Sequence, residues 1–504
     1  MGKPRPRAKI ARKDSSPGTV PGHEQRPATE GLQRLSPRIV AAAVTVACLA
    51  AYWLTRGAGP YWQDSGLFLA ALRSGGGLLS PGYPVYLLLG RPFVALFHLA
   101  LPGATFAEAG NFFSSVWAAL AAGVTALSIA TVLGPGYRFF AAAGMADSSS
   151  HDSNGAPRSD KSHVIVAAAT GGLLAGLSYS LWFQALTAEA YALNAFLAAL
   201  MLFLILRLGA EGPLPPTPTR RQRALVLLLV GAFGLSSGNH PVTVVFLPAF
   251  AWLTWTGRAA LRDRRLVATA ALTWAATALL PYLYLPWAAR AYPKTPFGDV
   301  TSLPALLRHM AGVQWSGQGE SFGLAPDRFA ALPTQLWHEL FAVGLLGLLL
   351  GLAWLWSRQR LLLAFVAVVA VPAALLPLVY LRGGEYDFWL LPLYLVAFLV
   401  AGVGIGRLLA VVLGSGMPRT LRLTLVALVA AATLAWPLAV NPALVSRRGD
   451  FVAEDFGRNL YRPLKPDAVL VVTSDQENAL TQYLEVVEGL RPDVARVDAG
   501  SIAT

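Results

Sequence analysis

"YPVYLLLGRPFVALFHLAL", residues 83–101, is apolar enough to be counted as a membrane span, and whether it crosses decides the side of every later loop. Spanning about 30 Å of hydrocarbon takes roughly 20 apolar residues in a helix, and 111–133 follows at once as another such segment. If both crossed, the later arginine-bearing loops would lie outside, against the tendency of basic residues to stay cytoplasmic. Laying 83–101 along the membrane surface brings four sets of arginines to the cytoplasm. These are Arg220, Arg221 and Arg223; Arg258, Arg262, Arg264 and Arg265; Arg358 and Arg360; and Arg419 and Arg422. Pro84, Arg91, Pro92 and His98 also suit an interfacial helix better than a lipid-facing one.

Fifty-five per cent of the 504 residues are hydrophobic and 13% charged, which no soluble core accounts for. The chain reads as an α-helical polytopic membrane protein. Spans are expected at about 38–55, 111–133, 163–182, 190–207, 224–239, 241–256, 266–287, 338–356, 361–380, 389–411 and 422–440, eleven in all. Residues 1–37 read as a disordered, basic cytoplasmic tail, 38–440 as the membrane domain, and 441–504 as an extracytoplasmic segment. That last segment contains "DAVLVVTSDQENALTQYLEVVEGLRPDVARVD", which alternates as strand, turn, amphipathic helix and strand, an α/β unit expected to pack on the membrane part. The +13 net charge is explained by topology, so nucleic-acid binding is a poor reading. A single cysteine, Cys48, excludes a disulfide or a cysteine-built metal site within one chain.

Polar residues at the outer ends of the expected spans are the informative ones, because charge in a bilayer is expensive. Asp64 opens the first outer loop, Glu189 precedes a span, Asn239-His240-Pro241 interrupts an apolar run, and Arg382, Glu385 and Asp387 precede the tenth span. Each has a plainer explanation. Asp64 fits a helix cap, Glu189 a first-turn acid favoured by the helix dipole, and His240-Pro241 a tight connection. Arg382 with Glu385 fits a surface ion pair. Tyr282, Tyr284 and Trp287 read as an aromatic belt, and the glycines of "GVGIGR" at 402–407, with Gly347 and Gly351, as helix-packing positions. No P-loop, HExxH pair or cysteine-based zinc spacing occurs.

Taken together, "DSG" at 64–66, "SPGYPVYLLLG" at 80–90, "WFQALTAEAYALNA" at 182–195, "GLSSGNHP" at 234–241 and "PYLYLPWAARAYPKTPFGD" at 281–299 resemble one family. "GGEYDFWLLPLYL" at 383–395 and "EGLRPDVARVD" at 488–498 complete the series. The family is that of the transmembrane protein 260-like O-mannosyltransferases and their bacterial relatives, within the C-type glycosyltransferase superfamily. Leu79 and Ser80 stand where the family usually shows His-Pro, and Phe297 where it shows tryptophan.

The resemblance implies a C-type glycosyltransferase fold with interfacial helices in the first outer loop. It also implies transfer of a sugar, mannose in the best-known relatives, from a polyprenyl-phosphate carrier to a hydroxyl of a protein, glycan or lipid on the outer face of the cell membrane. Asp64 matches the family's general base; with the acceptor hydroxyl within about 3 Å it would take the proton as the oxygen attacks the anomeric carbon, with inversion. Glu189 and His240 would assist Asp64 or position the acceptor, and Tyr83 belongs to the turn that walls the carrier groove. The leaving phosphate calls for positive charge; Arg382 is the first candidate, with Arg73 and Arg290 behind it, and Glu385 joins the substrate-binding set. No cofactor is expected; Glu385 and Asp387 are the residues a divalent cation would use. Two other classes stay open: a transporter or flippase of a lipid-linked molecule, and a membrane scaffold acting through 441–504.

Overall fold

The computed structural model describes residues 35–140, 161–292, 300–313, 325–380 and 386–499, together with Gly2 and Gly323. Most of the expected tail, the turn at 293–299, and Arg382 and Glu385 therefore lie outside the described residues. So does the side chain of Asp387.

Among the described residues eight helices are long and apolar enough to cross a membrane, or nine if the bent pair Ser162–Gly176 and Tyr179–Ala185 forms one span. This corrects the expected eleven. The segments at 224–239 and 241–256 drop out for local reasons. Arg220, Arg221 and Arg223 fill the first turn of the helix Arg220–Ser237 and lower its hydropathy. Pro241 and Pro248 break the second segment into a 3-10 stretch, Pro241–Phe246, and a ten-residue helix, Leu247–Thr256, because proline supplies no amide donor. Because the two are neighbours, removing both leaves the side expected for every later loop unchanged. The stretch that decided the topology forms a 17-residue helix, Pro84–Ala100, with Pro92 inside it; it falls short of a span and is not among the eight.

Helix starts follow from capping chemistry. The first span, Pro37–Thr55, begins at Ser36, whose hydroxyl accepts from Ile39 N–H, with proline at the first helical position. Thr219 and Gln222 form a reciprocal capping box, as do Ser474 and Glu477.

Small residues let the spans approach closely. Gly123, Gly172 and Gly176 lie where Pro37–Thr55, Phe106–Leu133 and Ser162–Gly176 meet, and a Cβ on Gly176 would come within 2.8 Å of Ala122 Cβ. Cys48 is packed into this seam with no exposure, and Tyr52 Oη donates to Gly176 O at 2.5 Å. The glycines of 402–406 serve packing, as expected: Gly404 lies against the backbone of Gly347 and Gly351 on the helix Pro326–Arg358.

The C-terminal segment forms the expected strand, helix and strand. β1 (Val469–Val472) pairs in parallel with β2 (Ala495–Asp498), with Val469 opposite Ala495, and the helix Asp475–Val486 connects them. That helix packs on Ser65–Ser74, the helix that begins at Asp64. Gly66 makes the approach possible, since a Cβ there would stand 2.6 Å from Ala479 C. Trp62 meets Phe456 of the helix Val452–Tyr461 at 5.4 Å between ring centroids, so the C-terminal segment holds the Asp64 turn on two sides.

Candidate functional site

Asp64 stands at the N-cap position of Ser65–Ser74, but its side chain makes no capping hydrogen bond, so the cap explanation fails. The residue before it, Gln63, has φ 67°. A left-handed backbone at a non-glycine residue is held only where its surroundings impose it, and such positions gather at working sites. A second lies at Tyr83, φ 45°, where the turn after the cis Ser80–Pro81 bond and Gly82 enters Pro84–Ala100. Phe68, one turn into the Asp64 helix, packs edge-on against Tyr83 at 5.1 Å.

From Tyr83 a continuous wall of rings runs to the other expected residues. Tyr83 lies 6.0 Å from His240, His240 is 4.9 Å from Tyr191, and Trp389 stands edge-on to His240 at 5.6 Å. Val242 N–H donates to His240 Nδ1 at 3.1 Å, which fixes the neutral tautomer and leaves Nε2 as the donor. Trp389 Nε1 donates to Tyr191 Oη at 3.2 Å, placing the start of the tenth expected span within the same group.

Glu189 is buried two residues before the helix Tyr191–Ala210, outside the first turn that the dipole explanation required. Two bonds hold its segment beside that of His240: Asn239 Nδ2 donates to Ala190 O at 3.0 Å, and Ser236 Oγ donates to Asn194 Oδ1 at 3.0 Å. A third residue ties it to the first outer loop. Asn111 Nδ2 reaches Gly59 O at 3.1 Å, while its Oδ1 accepts from Ala188 N–H at 3.1 Å. Asn111→Ala strands these buried partners, each bond being worth on the order of 1 kcal/mol and more once its partner is left unpaired. The expected loss of about 3 kcal/mol corresponds to roughly 3 °C in Tm for a chain of this size, to be checked by thermal melting in detergent.

Two arginines of the expected phosphate set stand elsewhere. Arg73 is exposed at the far end of the Asp64 helix, about 13 Å along the axis at 1.5 Å per residue, over the Phe106 ring. Arg290 is exposed and donates to Thr301 O at 2.9 Å. Tyr284, expected only in an aromatic belt, has a specific bond: its hydroxyl donates to Gly75 O at 2.6 Å and accepts from Arg91 at 3.2 Å.

Other residues belong to the site that the sequence reading did not select. Arg447, two residues past the final helical turn, is buried with its guanidinium carbon 3.6 Å from the Tyr61 ring centre and 4.6 Å from that of Phe183. Burial pulls its pKa down, and the nearby Tyr61, Asp450 and Tyr179 partly offset this. Phe183 stacks on Phe388 at 5.0 Å, and Phe388 lies 5.8 Å from Tyr191, so the ring wall extends from Tyr83 to Arg447. At the Ser80 turn, Ser80 Oγ donates to His309 O, and a Cβ on Gly82 would lie 3.1 Å from His309 Nε2. Burial lowers the His309 pKa, with a hydrogen bond to the Leu78 backbone acting the other way. A run of aromatic residues carries no spacing signal for such a wall; the signal within reach was an arginine just past a span, at "ALVSRRGD".

A cleft of about 340 Å³ opens beside this group, lined by Trp53, Leu54, Arg56, Ala58, Glu108, Arg448 and Gly449. Arg56 and Glu108 pair across it at 2.5 Å. None of the sequence-predicted residues lines it. Among the described residues no three His, Cys, Asp or Glu side chains gather to hold a metal ion.

Residues 64–262 match the family model of the Protein O-mannosyl-transferase TMEM260 N-terminal domain. The chain is 26% identical over 474 residues to the Protein O-mannosyl-transferase TMEM260 of Mus musculus, covering 86% of this chain. It spans 59% of the mouse protein's length. The fold resembles the crystal structure of ArnT from Cupriavidus metallidurans in the apo state, with TM-score 0.56 and 13% identity over 93% of this chain and 91% of that one. It also resembles the same protein bound to undecaprenyl phosphate, with TM-score 0.53 and 13% identity over 92% of this chain and 90% of that one. The family resemblance read from the sequence is borne out.

Proposed function

We propose that this chain, which matches the TMEM260 O-mannosyltransferase family model through residues 64–262, transfers a sugar from a polyprenyl-phosphate carrier to a hydroxyl acceptor. Mannose is the sugar, and a protein hydroxyl the acceptor, that the relative's name favours. The observation that carries the reading is the placement of Asp64: a carboxylate at a helix start that does not cap the helix, behind a left-handed residue, on a helix whose Phe68 packs through Tyr83 to His240.

Asp64 acts as general base, taking the acceptor proton as the acceptor oxygen attacks the anomeric carbon. The carrier phosphate departs from the opposite face of the sugar, so the product is inverted. His240, a fixed Nε2 donor, and Tyr83 bind the acceptor or the sugar, and Glu189 supports Asp64. The active site faces outward, with arginine-rich loops on the cytoplasmic side. Transport is the weaker reading, since residues 64–262 match a transferase family model and the polar groups gather at helix ends.

The test is loss of radiolabel from polyprenyl-phosphate sugars by detergent-purified protein supplied with a lysate of candidate acceptors. Polyprenyl-phosphate mannose is expected to turn over, giving product of inverted anomeric configuration. Lipid binding without turnover of any donor would sink the enzyme reading in favour of transport or scaffolding.

A further inference from the structure

The group least explained by packing is Arg447. Its residue is 7% exposed, and Nε and Nη2 are buried without a hydrogen-bond partner. Guanidinium is an acceptor-free cation with five donors, and burying it unpaired is among the more expensive arrangements a protein adopts. Among the described residues no carboxylate pairs with it, and Asp450 acts only at longer range. The faces of Tyr61 and Phe183 supply cation–π attraction, which holds the plane but satisfies none of the N–H groups.

Position adds a second argument. Tyr61 lies three residues before Asp64, and its N–H approaches Ser65 Oγ at 3.4 Å, so the guanidinium is stacked on the turn that presents Asp64. Arg447 N–H donates to Thr55 O at 2.8 Å, fixing it at the outer end of the first span. The next two residues, Arg448 and Gly449, line the cleft with Trp53 and with Leu54, which is 65% exposed on the span's apolar surface. A planar donor fork fits a phosphate, and an apolar approach beside it fits an anion carried on an isoprenoid tail.

We propose that Arg447 binds the phosphate of an isoprenoid monophosphate next to Asp64. This rests on the donor class proposed above, and it gives the phosphate role expected of Arg382, Arg73 or Arg290 to a residue at the junction of the last span and the C-terminal segment.

The test measures binding of undecaprenyl monophosphate, undecaprenol and inorganic phosphate to the full-length protein in detergent by calorimetry. Wild type is expected to prefer the lipid phosphate to undecaprenol by at least about tenfold, the value of a charge-assisted hydrogen bond. Arg447→Met should abolish that preference while leaving undecaprenol binding as it was. If the Met variant is not monodisperse, Arg447→Lys decides, with an expected weakening for the lipid phosphate alone. Unchanged preference in a folded variant overturns the role of Arg447 and leaves the donor class standing. Absence of any preference in wild type overturns the donor class itself. Equally tight binding of inorganic phosphate, lost in Arg447→Met, keeps Arg447 as the anion's partner and overturns the lipid source.

Discussion

Asp64→Asn is expected to lower sugar transfer by about 10²-fold or more, within the range ascribed to a positioned general base. The substitution is nearly isosteric, and because the carboxylate makes no capping bond, no helix cap is lost with it. Carrier binding should therefore stay close to wild type. The neutral amide cannot accept the acceptor's proton, so the loss should fall on kcat and not on the affinity for the lipid donor. Label release from the carrier, measured for both proteins side by side, checks this. Equal turnover would move the base to Glu189, the buried carboxylate two residues before Tyr191 of the ring wall.

Much of this was legible in the sequence, for identifiable reasons. Membrane spans are read from length and hydropathy, and nine of the expected segments correspond to spans or to the bent pair. The failures at 224–239 and 241–256 come from counting apolar residues without weighing what interrupts them: three arginines in one first turn, and prolines at 241 and 248 in the other. The β-strand pattern of "AVLVV" and "ARVD", with a polar turn and an amphipathic helix between them, gave away the C-terminal unit. What no spacing rule could supply was the partner of each polar residue. Arg447 stacks on Tyr61, three residues before Asp64 and most of the chain away in sequence, and the segments of Glu189 and His240 are bonded through the side-chain amides of Asn239 and Asn194. Those are tertiary facts. Arg73, close to Asp64 in sequence, stands at the opposite end of the same ten-residue helix.

Gly404→Ala is expected to remove much of the folded protein. A Cβ on Gly404 would fall 2.5 Å from Gly351 N and inside the contact distance of Gly347 O, both of them backbone atoms of the helix Pro326–Arg358. Side chains can rotate away from an added methyl, but a backbone inside a helix cannot. Relief requires the two helices to separate along their length. In turn, Gly351 faces Val400 O, and a Cβ on Gly347 would stand 2.8 Å from Ala401 O, so the approach is mutual and cannot be recovered by a local shift. Overpacking commonly costs 1–3 kcal/mol, and a clash with two backbones belongs at or above the upper end, about 3 kcal/mol. In a membrane there is little hydrophobic gain in pairing helices, and the close fit of small residues is the attraction itself. Gly414→Ala, on the same helix with nothing within 4 Å, should leave the yield and melting temperature of monodisperse protein in detergent unchanged. Equal behaviour of the two variants would rule out the packing role. The consequence also reaches the chemistry: Phe388 and Trp389 sit just before Leu391–Gly414 and meet Tyr191 and His240. Separating that helix from its partner therefore opens the ring wall that joins Tyr191, His240 and Tyr83, so any Gly404→Ala protein that does fold should also lose sugar transfer.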